Sequence, residues 1–402
     1  MSATIVEAKR MNQIPFSGIR KIFQAASDME RQGEQIIHLE IGRPDFDTPR
    51  HIKEAAKQAL DEGIVHYTSN YGLLELRQAI ADKLLAENGI RVDPEGEIIV
   101  TVGANEGVLL VALALLNPGD EVLIPDPAWL HYFYCAQLAE AQPVHIPLRE
   151  KNGFQLDPDD LEKAITPKTR MIIVTTPHNP TGSVLNRERL ERIAEIATKH
   201  DLLVVSDEIY EKIIYDGAQH HSLAAFPGMA ERTITLNGFS KAYSMTGWRL
   251  GYVAACRRLI APMIRVHQYS ATCANSFAQK GAVAAYRGPQ ACVADMVNEF
   301  DRRRRFLVGA LEQIDGIRCI RPQGAFYVFP SFEAFGLSSE QMATYLLEHA
   351  KVALVPGSAF GIYGEGYLRL AYSNSYENIE RAVERIDKAL RQLPASRKLA
   401  GE

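Results

Sequence analysis

The feature that most constrains this chain is the alternation, through its middle, of short apolar runs with segments of helical period. Residues 98–102, 121–124, 171–174 and 202–205 are apolar runs without period-two alternation, the pattern of strands buried on both faces. Helical segments at about 105–116, 129–140, 157–165 and 186–200 separate them, and most open on a polar or acidic cap. Such a series builds an α/β fold whose large domain is a mostly parallel sheet covered by helices. Residues 233–236 and 250–254 extend that sheet to about Ala255.

Beyond it the pattern changes. A long charged helix near 290–313 leads into Gly324-Ala325-Phe326-Tyr327-Val328-Phe329, a helix near 339–351, a strand at 367–371 and a final helix from Tyr376. This reads as a smaller α+β domain. An N-terminal helix at 16–32 has no sheet of its own and is assigned to the same unit, so both termini form it. The expected division is 1–45 and 285–402 for the small domain and 46–284 for the large one. A chain of 402 residues is long enough for this, since single cores stop growing at about 250–300 residues.

Composition removes several classes of function. Apolar residues at 47% and charged residues at 23% exclude a disordered or fibrous chain. A formal charge of -5 with no long block of like charge argues against a nucleic-acid partner. The longest apolar stretch, 108–116, is about half of the ~20 residues that span a bilayer, so no membrane partner is expected. Residues 1–13 lack an apolar signal core, and a cytoplasmic location is expected. The five cysteines are scattered without a Cys-x-x-Cys pair and read as reduced packing residues, with no metal site.

Five places carry chemistry. In Thr235-Leu236-Asn237-Gly238-Phe239-Ser240-Lys241 a strand ends in a small turn that delivers a lysine to the carboxyl edge of the sheet, where ligands bind in open α/β folds. Such a lysine can form a Schiff base if its pKa falls; taken alone, it reads more readily as a solvated surface lysine. Asp207 and Tyr210, in Val205-Ser206-Asp207-Glu208-Ile209-Tyr210, stand at the same edge, where a carboxylate can hold a pyridine nitrogen protonated or merely cap a helix. Asn179, in Thr175-Thr176-Pro177-His178-Asn179-Pro180-Thr181-Gly182, is presented by a loop suited to binding an oxygen or to a plain turn. Thr101-Val102-Gly103-Ala104-Asn105 turns from strand to helix through small residues and suits a phosphate at the helix N-terminus, although it is no nucleotide fingerprint. Arg249 and Arg369 sit in apolar surroundings and, as buried cations, need anionic partners such as a phosphate and a carboxylate. A lysine, a strand-end carboxylate, a phosphate loop and two sheltered arginines are jointly what pyridoxal 5'-phosphate requires. His220-His221 reads as a solvated loop and 302–305 as an exposed helix face.

With these residues in view, the chain resembles the class I/II aminotransferases, pyridoxal phosphate enzymes of fold type I in the aspartate aminotransferase superfamily. The resemblance covers nearly the whole chain. It rests on Ser240-Lys241-Ala242-Tyr243-Ser244-Met245-Thr246-Gly247-Trp248-Arg249-Leu250-Gly251, supported by Asn179-Pro180-Thr181-Gly182, Asp207-Glu208-Ile209-Tyr210 and Gly324-Ala325-Phe326-Tyr327. It implies that Lys241 is the Schiff-base lysine and proton shuttle, that Asp207 pairs with the pyridinium, and that Tyr210 and Asn179 bond the ring oxygen. It further implies that Trp129 stacks on the ring and that Gly103, Ala104, Asn105, Ser240 and Arg249 surround the phosphate. Arg369 would grip the substrate α-carboxylate with Gly42 nearby, and Asn179 would share in that site. Tyr67 would reach the phosphate of a neighbouring subunit, which implies a homodimer with shared active sites.

The implied activity moves the amino group of an L-amino acid to a 2-oxo acid such as 2-oxoglutarate, in a ping-pong cycle. A lyase, synthase or oxidase on the same scaffold is the alternative, and a non-catalytic regulatory protein a further one. Gly238 stands where many relatives carry a phosphate-binding serine. Asn105 and 270–275 lack the cations that aspartate-specific branches use, so strict aspartate specificity is not expected.

Overall fold

The computed structural model describes residues 7–393. The first six residues, on which the absence of a signal core partly rests, and 394–402 of the expected small domain lie outside the described residues. The chain opens with α1 (Gly18–Arg31), a two-residue strand β1 (Ile37–His38), α2 (Arg50–Asp61) and α3 (Leu74–Lys83). A βαβ series follows: β2 (Ile98–Thr101), α4 (Gly103–Leu115), β3 (Glu121–Asp126), α5 (His131–Leu138), β4 (Gln142–Pro147), α6 (Pro158–Lys163), β5 (Thr169–Thr175), α7 (Arg187–Lys199), β6 (Leu203–Asp207), β7 (Thr233–Gly238) and β8 (Gly251–Ala254), all but β4 among the expected strands and helices. Local chemistry sets several boundaries. Asp157 and Asn186 cap α6 and α7 by accepting from the backbone N–H of Asp159 and Arg189, and Pro158 occupies the first turn of α6, where its missing donor costs nothing.

These strands form one seven-stranded sheet in the order β2-β8-β7-β6-β5-β3-β4. It is parallel except for β8, which runs antiparallel to both β2 and β7. Strand β4 has no counterpart among the expected strands. Its sequence, Gln142-Pro143-Val144-His145-Ile146-Pro147, carries two prolines and little apolar continuity, which an edge strand paired only with β3 tolerates.

The chain continues through α8 (Arg257–Ser270), α9 (Ser276–Arg287), α10 (Ala291–Leu311), β9 (Tyr327–Val328), α11 (Ser339–Ala350), β10 (Val352–Ala353), β11 (Val355–Pro356), β12 (Leu368–Ala371) and α12 (Tyr376–Arg391). Buried Ile379, Ala382, Val383, Ile386, Ala389 and Leu390 recur at helical spacing along α12, so one face of that helix enters the core. One core joins Ile22 and Ala26 of α1 and Ile37 of β1 to residues of α10, α11 and α12. Strand β1 pairs in parallel with β10, which ties the N-terminal segment to the C-terminal elements.

Three expectations about polar residues are corrected. His220 is not solvated: it is nearly buried and bonds Glu208 at 3.0 Å, in a network with Ser222 and Asn88. The 302–305 run is not uniformly exposed, because α10 turns Arg303 and Arg304 inward; Arg304 is fully buried and makes paired bonds of 2.8 Å to Asp216. Arg249 is exposed rather than buried, since it lies in the turn before β8 with a left-handed backbone (φ 55°) and bonds the Thr246 carbonyl.

Candidate active site

The C-terminal edge of the sheet and the elements of the second core enclose a cavity of about 470 Å³. Each strand end supplies part of its wall: Trp129 follows β3, Thr175 and Asn179 close β5, Asp207 and Tyr210 close β6, and Ser240 and Lys241 follow β7. The first turn of α4 adds Ala104 and Asn105, the segment after β1 adds Gly42, and Arg249 stands at the side. Arg369, from β12, and Tyr327, from β9, complete the lining from the other core. Thus the sequence-singled residues Gly42, Ala104, Asn105, Trp129, Asn179, Asp207, Tyr210, Ser240, Lys241, Arg249 and Arg369 all line one space. Gly103 lies just behind it. Tyr67 does not join them and is 88% exposed elsewhere on the surface.

Lys241 Nζ donates to the Gly42 carbonyl at 2.6 Å. Burial, reinforced by the charges of Arg369 and Arg249, brings its pKa down to about 8, so a useful fraction is free amine near neutrality. Asp207 is buried and its carboxyl is pushed up to about 6 by that burial, against the opposing pull of two donors. Those donors are the Tyr132 hydroxyl at 2.6 Å and the Ile209 N–H at 3.1 Å. Thr175 in turn bonds Tyr132 at 3.0 Å. The Tyr210 and Tyr327 hydroxyls lie 2.7 Å apart, and burial holds the Tyr210 phenol well above its usual range.

Arg369 is 2% exposed and sits between the Tyr327 and Phe360 rings. It donates through Nη1 to Asn179 Oδ1 at 3.1 Å and through Nη2 to the Glu40 carbonyl at 2.5 Å, while its Nε has no partner. A buried guanidinium with one unmet donor is poised for an anion.

Tyr132, Thr175 and Tyr327 were not singled out from sequence as site residues. Tyr327 belongs to the Gly324-Ala325-Phe326-Tyr327 motif and Tyr132 follows Trp129 by one helical turn, the only signals either residue carries.

Residues 34–386 match the family described as aminotransferase class I and II. The chain belongs to that family. It is 48% identical over 385 residues to the aspartate aminotransferase of Pyrococcus abyssi, covering 95% of this chain and 98% of the relative. It is 46% identical, at the same coverage, to an aromatic-amino-acid aminotransferase of Thermococcus litoralis. The structure of the aspartate aminotransferase from Rhizobium meliloti superposes with a TM-score of 0.93 at 38% identity, covering 97% of this chain and all of that one. The protein is therefore an amino-acid aminotransferase and depends on pyridoxal phosphate.

The cavity of this aminotransferase fits that cofactor. The leading N–H groups of α4 have no acceptor within the helix, and Ala104 and Asn105 of its first turn line the cavity with Ser240 and Arg249. The backbone there is packed so closely that a Cβ on Gly251 would stand 2.5 Å from the Ala104 nitrogen, and one on Gly103 would meet the Arg249 guanidinium. Glycine at 251 thus lets the start of α4 lie on β8. Gly238 has a similar cause: a Cβ would stand 2.8 Å from Gly251 Cα across the β7–β8 pair. At the other end of the cavity stand the buried carboxylate of Asp207 and the amine of Lys241.

Proposed function

We propose that this aminotransferase takes the α-amino group of acidic and aromatic L-amino acids and delivers it to 2-oxoglutarate in a ping-pong cycle, with Lys241 as the group that moves the α-proton. The observation that carries this reading is the part-buried Lys241 amine, 2.6 Å from the Gly42 carbonyl, sharing one cavity with the open Nε of Arg369. Bound pyridoxal phosphate supplies a carbonyl that condenses with amines and a ring that withdraws electrons from the substrate α-carbon.

The chain's own residues do the rest. Arg369 and Asn179 hold the α-carboxylate, which orients the Cα–H bond toward the amine of Lys241. That amine would accept the α-proton and return it to the carbon that was the cofactor's carbonyl, on the far side of the transferred nitrogen. Asp207, ionised and backed by Tyr132, keeps a proton on the ring nitrogen. Tyr210 donates to the ring oxygen alongside Asn179, and Trp129 covers one ring face. Ala104, Asn105, Ser240 and Arg249 hold the phosphate, with Gly103 shaping the loop.

The choice of donors rests on the named relatives, one acting on aspartate and the other on aromatic amino acids. A homodimer is proposed on the 88% exposure of both Tyr67 and Tyr269, with Tyr67 completing the partner's phosphate site. We also take residues 1–45 and 285–402 as one domain and 46–284 as the other. The free state of all five cysteines favours a cytoplasmic location. No helix among the described residues is long and apolar enough to cross a membrane.

The test is to load the purified protein with pyridoxal phosphate, add single amino acids without an acceptor, and follow absorbance. Conversion to the pyridoxamine form by aspartate and by tyrosine, reversed by 2-oxoglutarate, is expected. Release of ammonia or peroxide in place of reversible transfer would overturn the reading.

A further inference from the structure

A chain of charged side chains runs from the surface to the wall of the active site and has no part in the roles above. Glu30, on α1, is exposed, and its Oε1 lies 3.0 Å from Nε2 of His38. Nδ1 of His38 lies 2.7 Å from Oε1 of Glu40. Glu40 is fully buried, lines the active-site cavity, and its second oxygen, Oε2, has no partner. The backbone carbonyl of the same residue accepts from Nη2 of Arg369 at 2.5 Å, and the Glu40 charge acts on that guanidinium.

Two buried and incompletely satisfied groups of opposite charge therefore lie in the same wall: a carboxylate with one open oxygen and a guanidinium with one open N–H. A buried charge left without a partner is costly, so the two groups are drawn toward a direct ion pair. Such a pair would occupy the donors that a substrate carboxylate needs. What opposes it is the bond from His38.

We propose that His38 is a positioning residue that restrains the Glu40 carboxylate and so keeps Arg369 open to the α-carboxylate of the substrate. The hydrogen bond that His38 donates to Glu40, with a smaller contribution from Glu30, raises His38 to about 9, so it is charged at neutral pH and neutralises Glu40 where it stands. The backbone of His38 is itself fixed, since its carbonyl accepts from Asn374 at 2.8 Å and β1 is paired with β10. Glu40 is then free to move only if the imidazole lets go.

This inference rests on Arg369 as the carboxylate-binding residue, and the experiment separates the two. The pyridoxal phosphate-loaded enzyme is titrated with succinate, a non-reacting carboxylate, and KM and kcat are measured for aspartate. In His38→Leu, both the succinate dissociation constant and KM rise about tenfold or more, with kcat changed far less, as loss of a charge-assisted hydrogen bond implies. Adding Glu40→Gln to His38→Leu removes the competing charge and brings both constants back toward wild type. His38→Gln, whose amide still donates to Glu40, stays close to wild type and covers the case in which the leucine variant folds poorly. Unchanged succinate binding in His38→Leu, or no recovery in the double variant, overturns the proposal. If Arg369→Lys also leaves succinate binding unchanged, the assignment of Arg369 itself fails.

Discussion

The hydroxyl of Tyr132 donates to Oδ2 of Asp207 across 2.6 Å, joining α5 to the end of β6 inside the core. The bond is charge-assisted and buried, so it lowers the pKa that burial alone would give Asp207. In Tyr132→Phe that pull is lost and Asp207 takes up its proton at higher pH. The acid-side midpoint for pyridoxal phosphate binding to the apoprotein is expected to move up by about one unit, the size of one charged hydrogen bond. A binding titration across pH 5–8 reads this directly, and an unmoved midpoint would show that the bond does not tune the carboxylate.

Asp207 has a cost in the absence of cofactor. Its folded-state pKa of about 6 lies above the ordinary 3.8, so the folded protein holds that proton more tightly than the unfolded chain. The penalty is fully present above about pH 6 and fades as pH falls toward 3.8. Asp207→Asn should therefore stabilise the apoprotein at pH 7 by about 1–3 kcal/mol, and the gain should vanish near pH 4. The same variant should lose transamination. Chemical denaturation at the two pH values is the measurement, and an apoprotein destabilised at pH 7 would contradict the burial argument.

Much of this site was legible because strand ends carry it. A buried parallel strand announces itself as an apolar run, and the residues just past it fall at one edge of the sheet, so Asn179, Asp207 and Lys241 could be placed together before any contact was known. What sequence spacing does not carry is which side chain meets which across strands. Tyr132 reaches Asp207 from a helix distant in the chain, and nothing in the spacing of the two residues predicts it. Arg304 sits in a run of four arginines that looks like a solvated face, yet helical geometry turns it toward Asp216. His220 is polar and lies in a loop, but the loop folds back onto Glu208. Strand β4 was lost because an edge position tolerates prolines that a central strand would not.

The start of α4 lies against β8 at Gly251. Gly251→Ala puts a methyl group 2.5 Å from the Ala104 nitrogen and 2.7 Å from the Gly103 carbonyl carbon, backbone atoms that cannot rotate aside. Relief requires the start of α4 to lift off β8. The expected cost is about 1–3 kcal/mol in the apoprotein, as for other overpacked sites, together with weaker binding of pyridoxal phosphate. Thermal unfolding with and without cofactor separates the two effects: a variant whose stability falls while its cofactor affinity is unchanged would mean that the loop position is not set by this contact.

Lys241 offers the most direct test of proton transfer, because its role can be read without completing a turnover. In deuterium oxide the wild-type enzyme should exchange the α-proton of a bound amino acid, since the amine that accepts the proton also exchanges with solvent. The geometry favours this: the amine is held at the Gly42 carbonyl, on the wall that also carries Arg369, and its pKa of about 8 leaves it able to accept a proton near neutrality. In Lys241→Ala the proposed holds of Arg369 on the carboxylate and Asp207 on the ring are untouched, so substrate binding is expected to survive while the base is missing. Exchange followed by proton NMR should fall by at least about a hundredfold, the contribution of a placed general base. Exchange persisting at the wild-type rate would assign the proton transfer to another group in the cavity, and the hydroxyls of Tyr210 and Tyr327, 2.7 Å apart, would be the next to remove.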